Sequence, residues 1–141
     1  MRNQDKLRKL REIIINDFGT WDDCDPATDI NFAKIKACKY LQYCLNEILR
    51  MYPIVPWNTR VSNKDTTLPR GGGEDGKSKI FIPKGTQVDY SPYVMQRRED
   101  LWGSDANEYI PERWEGRKFG WDYLPVSHSR QPSKFLWLIC G

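Results

Sequence analysis

The chain has 141 residues, of which 29% are charged and 39% hydrophobic, and its formal net charge is +3. This length suffices for one modest domain with a core. The mild charge excludes the strongly basic surface typical of nucleic-acid-binding proteins, so we expect no nucleic-acid partner.

The four cysteines are Cys24, Cys38, Cys44 and Cys140, and none is part of a CxxC motif. We therefore expect neither a disulfide scaffold nor a zinc site. Free thiols without a signal peptide indicate a reducing compartment. No apolar run reaches the length that crosses a bilayer, so membrane contact would have to come from sequence outside this chain.

The first predicted element is an amphipathic helix over residues 2–18. Leucine, isoleucine and phenylalanine recur there at helical spacing, and Gly19 fits a C-terminal stop. Residues 19–31 are rich in Asp, Thr and Pro and predict a loop. Their acids lack the glycine and distal glutamate of a calcium loop, so we interpret them as solvated.

A central helix is predicted to begin between Asn31 and Lys36 and to end at Met51. Glu47 and Arg50 lie three residues apart in it and are neighbours on one face. By the 3.6-residue step of a helix, this pair projects opposite an apolar stripe. Tyrosines rather than lysines accompany the pair, so we expect both sides to be buried. The stripe comprises Leu41, Leu45, Ile48, Leu49 and Tyr52, and the tyrosines are Tyr40 and Tyr43.

After the central helix the chain predicts a small β-meander. An extended segment at residues 59–61 precedes a strand at residues 65–69. That strand would pair with residues 80–82 across a glycine-rich loop, and a further strand would span residues 86–90.

The glycine-rich loop begins at Gly71 and ends at Ser78, and its sequence GGGEDGKS fits the phosphate-loop pattern GxxxxGK[ST]. Phosphate binding needs a buried strand before the loop and a helix after it. Here a polar segment precedes the loop and a short strand follows. We therefore predict a hairpin tip and no nucleotide.

The remaining chain is largely irregular. Residues 92–103 predict one short helical turn closed by Gly103, and residues 104–125 contain Pro-Glu-Arg-Trp at 111–114. A long irregular segment needs specific polar anchors. A buried guanidinium contributed from this segment to an existing Glu–Arg pair would provide one. Residues 126–141 show no clear periodicity, and their sequence indicates no particular folded element.

Two motifs in this order, Glu47-x-x-Arg50 before a proline and Pro-Glu-Arg-Trp at 111–114, resemble the cytochrome P450 family. Residues 39–60, 89–91, 100–106 and 117–125 resemble the fungal class that hydroxylates n-alkanes and fatty acids. The resemblance covers residues 2–125. It implies an α+β fold class: the C-terminal part of the mainly helical P450 fold, with two helices, a small β-meander and an irregular meander loop.

We accordingly divide the chain into a partial P450 domain, residues 1–125, and a tail, residues 126–141, without this resemblance. The tail suggests a shifted reading frame or retained non-coding sequence. The family's oxygen-activating helix, most of its substrate pocket and its membrane anchor are expected before residue 1.

The resemblance implies roles for individual residues. Glu47 and Arg50 match the family's ExxR pair, and Arg113 matches the third member of that network, which fastens the meander to the helix. Arg60 occupies the position of an arginine that binds a haem propionate. A guanidinium can hold a carboxylate with two hydrogen bonds.

The family's iron ligand has no clear match. A haem loop of the form Phe-x-x-Gly-x-Arg-x-Cys-x-Gly is expected after Leu124 and Pro125, but no cysteine stands at its place. Cys140 comes later without the glycine and arginine context, and it is the remaining candidate thiolate. His128, the only histidine, is expected to be a solvated loop residue.

Three functional interpretations follow. The first is a haem-thiolate monooxygenase that hydroxylates an alkane or fatty acid with O2 and electrons from NADPH-cytochrome reductase; the full-length family acts at the cytosolic face of the endoplasmic reticulum membrane. The second is a non-catalytic truncated or pseudogene product that binds no haem. Because this segment contains no membrane anchor, its expected location is cytoplasmic or unknown. The third is a small non-enzymatic binding module. By resemblance the chain is an enzyme, but we expect it to be inactive alone.

Overall fold

The computed structural model describes residues 3–26, 28, 30–118, 120 and 122–124. The candidate iron ligands Cys140 and His128, and the whole tail from residue 126 to 141, lie outside the described residues.

Three helices form the first part of the fold. The first, α1 (Gln4–Phe18), matches the predicted helix closely and ends at Gly19. The predicted central helix is divided into α2 (Phe32–Ala37) and α3 (Lys39–Met51). The break lies at Cys38, whose ψ of 88° is not helical, although no proline or glycine marks it in the sequence.

The ends of α2 and α3 follow local chemistry. The Asn31 side chain caps α2 by accepting a hydrogen bond of 2.9 Å from the Lys34 amide. At the other end, the Tyr52 amide donates to the Ile48 carbonyl at 2.7 Å. Pro53 has no amide and disfavours a helical residue before it, so α3 stops there.

Four strands follow: β1 (Asn58–Val61), β2 (Thr66–Gly72), β3 (Ser78–Ile82) and β4 (Gln87–Tyr90). The described strands form two antiparallel pairs, β1 with β4 and β2 with β3. The predicted meander is therefore wrong in its topology, because β1 pairs with the last strand and not with the next one.

The nested pairing has a simple physical cause. The β2–β3 hairpin closes on itself and returns the chain to its starting point, where the Lys84 amide donates to Asp65 Oδ1 at 2.8 Å. The Ser62 amide then donates to the Thr86 carbonyl at 2.9 Å, and the Gly85 amide donates to the Ser62 carbonyl at 2.8 Å. These contacts bring β4 alongside β1.

The glycine-rich loop is the tip of the β2–β3 hairpin, as predicted. Gly71 has a φ of 114°, and a Cβ there would lie 2.9 Å from Ile80 Cδ1, so the position requires glycine. The amides of Gly71, Gly76 and Lys77 donate to acceptors within the tip itself. A strand follows instead of a helix, so the tip lacks the helix N-terminus that a phosphate loop uses.

The last part of the described chain contains two short helices, α4 (Pro92–Met95) and α5 (Glu99–Trp102), where the sequence predicted one turn. Gly103, with a φ of 92°, ends α5 as expected. A 3₁₀ turn, Pro111–Trp114, is the only regular element in the described residues beyond it. The main apolar cluster lies here and consists of Trp102, Ala106, Trp114 and Tyr123.

The two faces of α3 differ from the prediction that both are buried. Glu47 and Arg50 are buried, but Leu45, Ile48 and Tyr52 are 44%, 45% and 63% exposed. The irregular segment after α5 packs on the polar side of α3, whereas the described residues leave these three members of the apolar stripe exposed. Leu49, another member of the stripe, is half-buried and packs against the Trp102 cluster. Among the described helices, none is both long and apolar enough to cross a membrane.

Because the polar face of α3 is buried and part of its apolar face is exposed, substitutions on the two faces should change the free energy of unfolding by different amounts. Ile48→Lys should change the free energy of unfolding by less than about 0.5 kcal/mol. It should also reduce aggregation, because it removes exposed apolar surface. Met51→Ala, at a position only 8% exposed, should cost about 2–5 kcal/mol. Urea unfolding and light scattering measure both effects. Equal destabilisation by the two variants would contradict the exposed stripe.

Candidate functional site

Glu47 lies at the centre of the site and, like Arg50, is 0% exposed. Oε1 accepts from Arg50 Nη2 at 2.9 Å, from the Ile110 amide at 3.0 Å and from Arg113 Nε at 2.9 Å. Oε2 accepts from Arg50 Nε at 2.9 Å and from Trp114 Nε1 at 3.0 Å. The carboxylate therefore joins α3 to the irregular segment through both of its oxygens.

Every N–H group of Arg50 has an acceptor. Nε and one hydrogen of Nη2 go to Glu47. The others go to main-chain carbonyls: Nη1 donates to Gln96 and Ala106, each at 2.7 Å, and Nη2 donates to Glu108 at 3.1 Å. A buried guanidinium with all five donors satisfied avoids the cost of an unpaired charge.

Arg113 completes the cluster from the 3₁₀ turn. Besides Glu47, its guanidinium reaches the Trp102 carbonyl at 3.2 Å, Asp105 Oδ1 at 3.2 Å and the Asp105 carbonyl at 3.0 Å. Two guanidinium groups thus face two carboxylates, those of Glu47 and Asp105, so the charges balance. The structure brings together Glu47, Arg50 and Arg113, three residues that the sequence analysis singled out.

The electrostatics of Glu47 indicate an anchoring group. Burial alone would raise its pKa, but hydrogen bonds from Arg50 and Ile110 and the charges of Arg50 and Arg113 outweigh burial and hold the pKa below its ordinary value. The carboxylate is therefore ionised at neutral pH and surrounded by donors. It is arranged to accept hydrogen bonds, not to exchange protons.

A second carboxylate, Glu112, fastens α1 to the same turn. Its Oε1 accepts from Lys9 Nζ at 2.8 Å and from the Tyr40 hydroxyl at 3.2 Å. Lys6 Nζ lies 3.3 Å from Oε2, close enough for an ion pair but without hydrogen-bond geometry. Burial raises the pKa of Glu112, but the lysines outweigh it and lower the pKa to about 2.

This contact was not predicted from the sequence, because Lys9 and Glu112 are 103 residues apart. It gives α1 an electrostatic attachment, which matters because no described residue of α1 is buried. The helical spacing of apolar residues in α1 predicts a packing helix. Nothing in the sequence near α1 indicates which carboxylate its lysines contact.

Arg60 stands apart from the Glu47 cluster. It lies half-buried in β1, and its Nη1 donates to Asn58 Oδ1 at 2.9 Å and to the Thr59 carbonyl at 3.0 Å. No acceptor among the described residues takes a hydrogen bond from its Nε or Nη2. A guanidinium with such donors can bind a carboxylate, so the propionate contact expected for Arg60 stays a prediction.

Three cysteines lie among the described residues, and none of them stands at the position expected for the haem ligand. Cys24, Cys38 and Cys44 are free cysteines, and the latter two are buried. Burial is the main cause that raises the pKa of both buried thiols, so they stay neutral at physiological pH. Within the described ranges there is also no cluster of three or more His, Cys, Asp or Glu that could hold a metal ion.

The lowered carboxylate pKa values predict acid unfolding with a definite sign. A group whose folded pKa is depressed stabilises the fold above its unfolded pKa, near 4.5 for glutamate, and loses that contribution as the pH falls. Stability should therefore fall below about pH 4.5 and continue to fall toward pH 2.

Glu112→Gln tests how much of the acid-dependent loss of stability comes from the Glu112 carboxylate. The variant should lose less stability than the wild type between pH 4.5 and pH 2, as measured by urea unfolding. Glu115→Gln, at an exposed position of the next turn, is the matched control and should retain the wild-type profile. Identical profiles for Glu112→Gln and the wild type would contradict the ion pairs.

Comparison with known proteins places the sequence of this chain in a family. The sequence model of the cytochrome P450 family matches residues 1–136. Cytochrome P450 monooxygenase g430 from Fusarium sp is 60% identical over 126 residues, covering 89% of this chain and 22% of the relative. Cytochrome P450 monooxygenase alt2 from Alternaria solani is 48% identical over 129 residues, covering 90% and 24%.

A yeast relative extends the comparison. Cytochrome P450 52A13 from Debaryomyces hansenii is 51% identical over 122 residues, covering 86% of this chain and 23% of the relative. The chain thus spans less than a quarter of the length of these curated relatives. Because the family model matches nearly the whole sequence, the chain belongs to the cytochrome P450 family.

Proposed function

We propose that this chain is part of a haem-thiolate monooxygenase that hydroxylates an aliphatic substrate, an alkane or a fatty acid, with O2. The observation that carries the proposal is the buried cluster of Glu47, Arg50 and Arg113, in which the Glu47 carboxylate links two arginines and two separate segments. The aliphatic substrate class rests on the resemblance of the helix and the irregular segment to the fungal alkane and fatty-acid hydroxylases.

In this proposal the cluster is a structural staple and not a reactive centre. Haem held by a cysteine thiolate supplies the oxygen chemistry when it is bound. Arg60 would hold a haem propionate through its available donors, and Glu47 would keep α3 and the irregular segment at a fixed separation. Cys140 is the thiolate candidate of this chain.

The partners in this proposal are those of the whole enzyme. Electrons come from an NADPH-cytochrome reductase, and the protein acts at the cytosolic face of the endoplasmic reticulum membrane. The whole enzyme in this proposal is about four times as long as this chain, judging by the 22–24% of each relative that it covers.

A second proposal is a chain that binds no haem and has no catalytic function by itself. The positions of the cysteines favour it, because no cysteine stands where the iron ligand is expected and Cys38 and Cys44 are buried. The division between a P450 segment ending at residue 125 and an aberrant tail is part of this proposal. The family match extends beyond this division, to residue 136.

The reduced carbon-monoxide spectrum of the chain after incubation with haem separates the two proposals. We expect no thiolate-type Soret band from the chain alone. A thiolate-type band would contradict the second proposal and would show that the chain can ligate iron. In that case Cys140→Ser should abolish the band, while Cys24→Ser, at a partly exposed position, should leave it unchanged.

A chimera extends this test to the first proposal. Residues 3–124 would replace the matching segment of the Debaryomyces hansenii relative. The chimera should retain the host's carbon-monoxide spectrum and its activity on an n-alkane or fatty acid. Arg60→Leu in the chimera should weaken haem binding by about tenfold, as expected for a lost charged hydrogen bond. Arg70→Leu, at an exposed position of β2, is the control. A folded chimera without haem would contradict the first proposal.

A further inference from the structure

Gln96 is a fully buried polar side chain at the end of α4, with an exposure of 0%. Its amide nitrogen donates to the Arg50 carbonyl at 3.3 Å, and its amide oxygen accepts from the Leu124 amide at 3.0 Å. A carbonyl requires a donor and an amide N–H requires an acceptor, so these two partners fix the orientation of the side chain.

Gln96 and Arg50 bind each other reciprocally. Arg50 Nη1 donates to the Gln96 carbonyl at 2.7 Å, and the Gln96 side chain donates to the Arg50 carbonyl. The end of α3 and the end of α4 are thereby held at two points. The Gln96 amide also donates to the Pro92 carbonyl at 2.9 Å, which anchors the residue within its own helix.

The far end of this chain of contacts is the backbone at Leu124. The preceding residue, Tyr123, is held separately, since its hydroxyl donates to Asn46 at 3.3 Å and its ring lies 4.5 Å from that of Trp114. The contacts of Tyr123 therefore involve its own side chain, whereas Gln96 binds the main-chain amide of Leu124. The link from Leu124 through Gln96 to Arg50 connects the backbone to the buried Glu47 carboxylate.

We propose that Gln96 is a positioning residue that sets where the backbone leaves the buried cluster at Leu124. The Gln96 side chain links the main chain at Arg50 to the main chain at Leu124. Replacing Gln96 would free the Leu124 amide, while Glu47 would keep its own hydrogen-bond partners. The importance for catalysis rests on the proposed function, in which the iron-ligand loop is expected after residue 125. The clamp itself requires no haem.

Amide hydrogen exchange of the intact chain, without haem, tests the clamp separately from the proposed function. Gln96→Met keeps the length and volume of the side chain and removes both polar contacts. The amide of Leu124 should then exchange about tenfold faster, as expected for one lost hydrogen bond. The Ile110 amide, bound to Glu47, should change by less than about twofold.

Gln42→Met is the matched control, because Gln42 also donates to a carbonyl, that of Ile35 at 3.1 Å. It should leave exchange at Leu124 unchanged. Unchanged exchange at Leu124 in Gln96→Met would overturn the proposal, and so would equal acceleration of the Leu124 and Ile110 amides.

If Gln96→Met does not fold, a measurement on the wild type tests the same hydrogen bond. The quantity measured is the scalar coupling across that bond, between the Leu124 nitrogen and the Gln96 carboxamide carbon. Its detection supports the clamp, and its absence overturns it.

Discussion

The fold depends on the requirement that a buried carboxylate have its charge balanced and its oxygens occupied. Removing ions from water costs several kcal/mol for each ion unless their partners are in place. Glu47 meets this requirement with donors from four residues, three of which lie more than 60 positions away in the sequence. The irregular segment must therefore return to α3 for the charge to be buried at all.

This constraint explains how a segment with little helix or strand structure is held in one position against α3. The carbonyls of Gln96, Ala106 and Glu108 converge on the Arg50 guanidinium, so loops that lack strand or helix partners receive their hydrogen bonds from one side chain. Trp102 lies beside the same guanidinium, with its ring centre 5.0 Å away. Packing and polar satisfaction thus coincide on one side of α3, while Leu45, Ile48 and Tyr52 on its apolar stripe stay exposed among the described residues.

Local signals in the sequence were sufficient for some features and insufficient for others. Helical spacing and Gly19 gave α1, and glycines between two short strands gave the β2–β3 hairpin. Glu47 and Arg50 were identifiable because they are neighbours on a helix where tyrosines replace the usual surface residues. The partner Arg113 required the resemblance to a family, since nothing in its own segment indicates what it contacts.

The features that sequence reasoning missed depend on distant contacts. Gln96 lies 46 residues from Arg50 and 28 from Leu124, and no periodicity relates them. The pairing of β1 with β4 follows from closure of the intervening hairpin, which strand propensity does not encode. The exposure of Leu45, Ile48 and Tyr52 on α3 was also missed, because apolar periodicity indicates that a face can be buried but not that an element is present to cover it.

A double-mutant cycle between Glu47 and Arg113 tests the central claim most directly. Glu47→Gln and Arg113→Gln, singly and together, would be compared by urea unfolding, with trimethylamine N-oxide added if a single variant is too unstable. Coupling of about 1–3 kcal/mol is predicted for directly bonded partners in one network. The pair Glu47→Gln and Arg98→Gln is the control, since Arg98 is exposed and bound to Asp100, and it should be additive within about 0.5 kcal/mol. Equal additivity for both pairs would contradict the account.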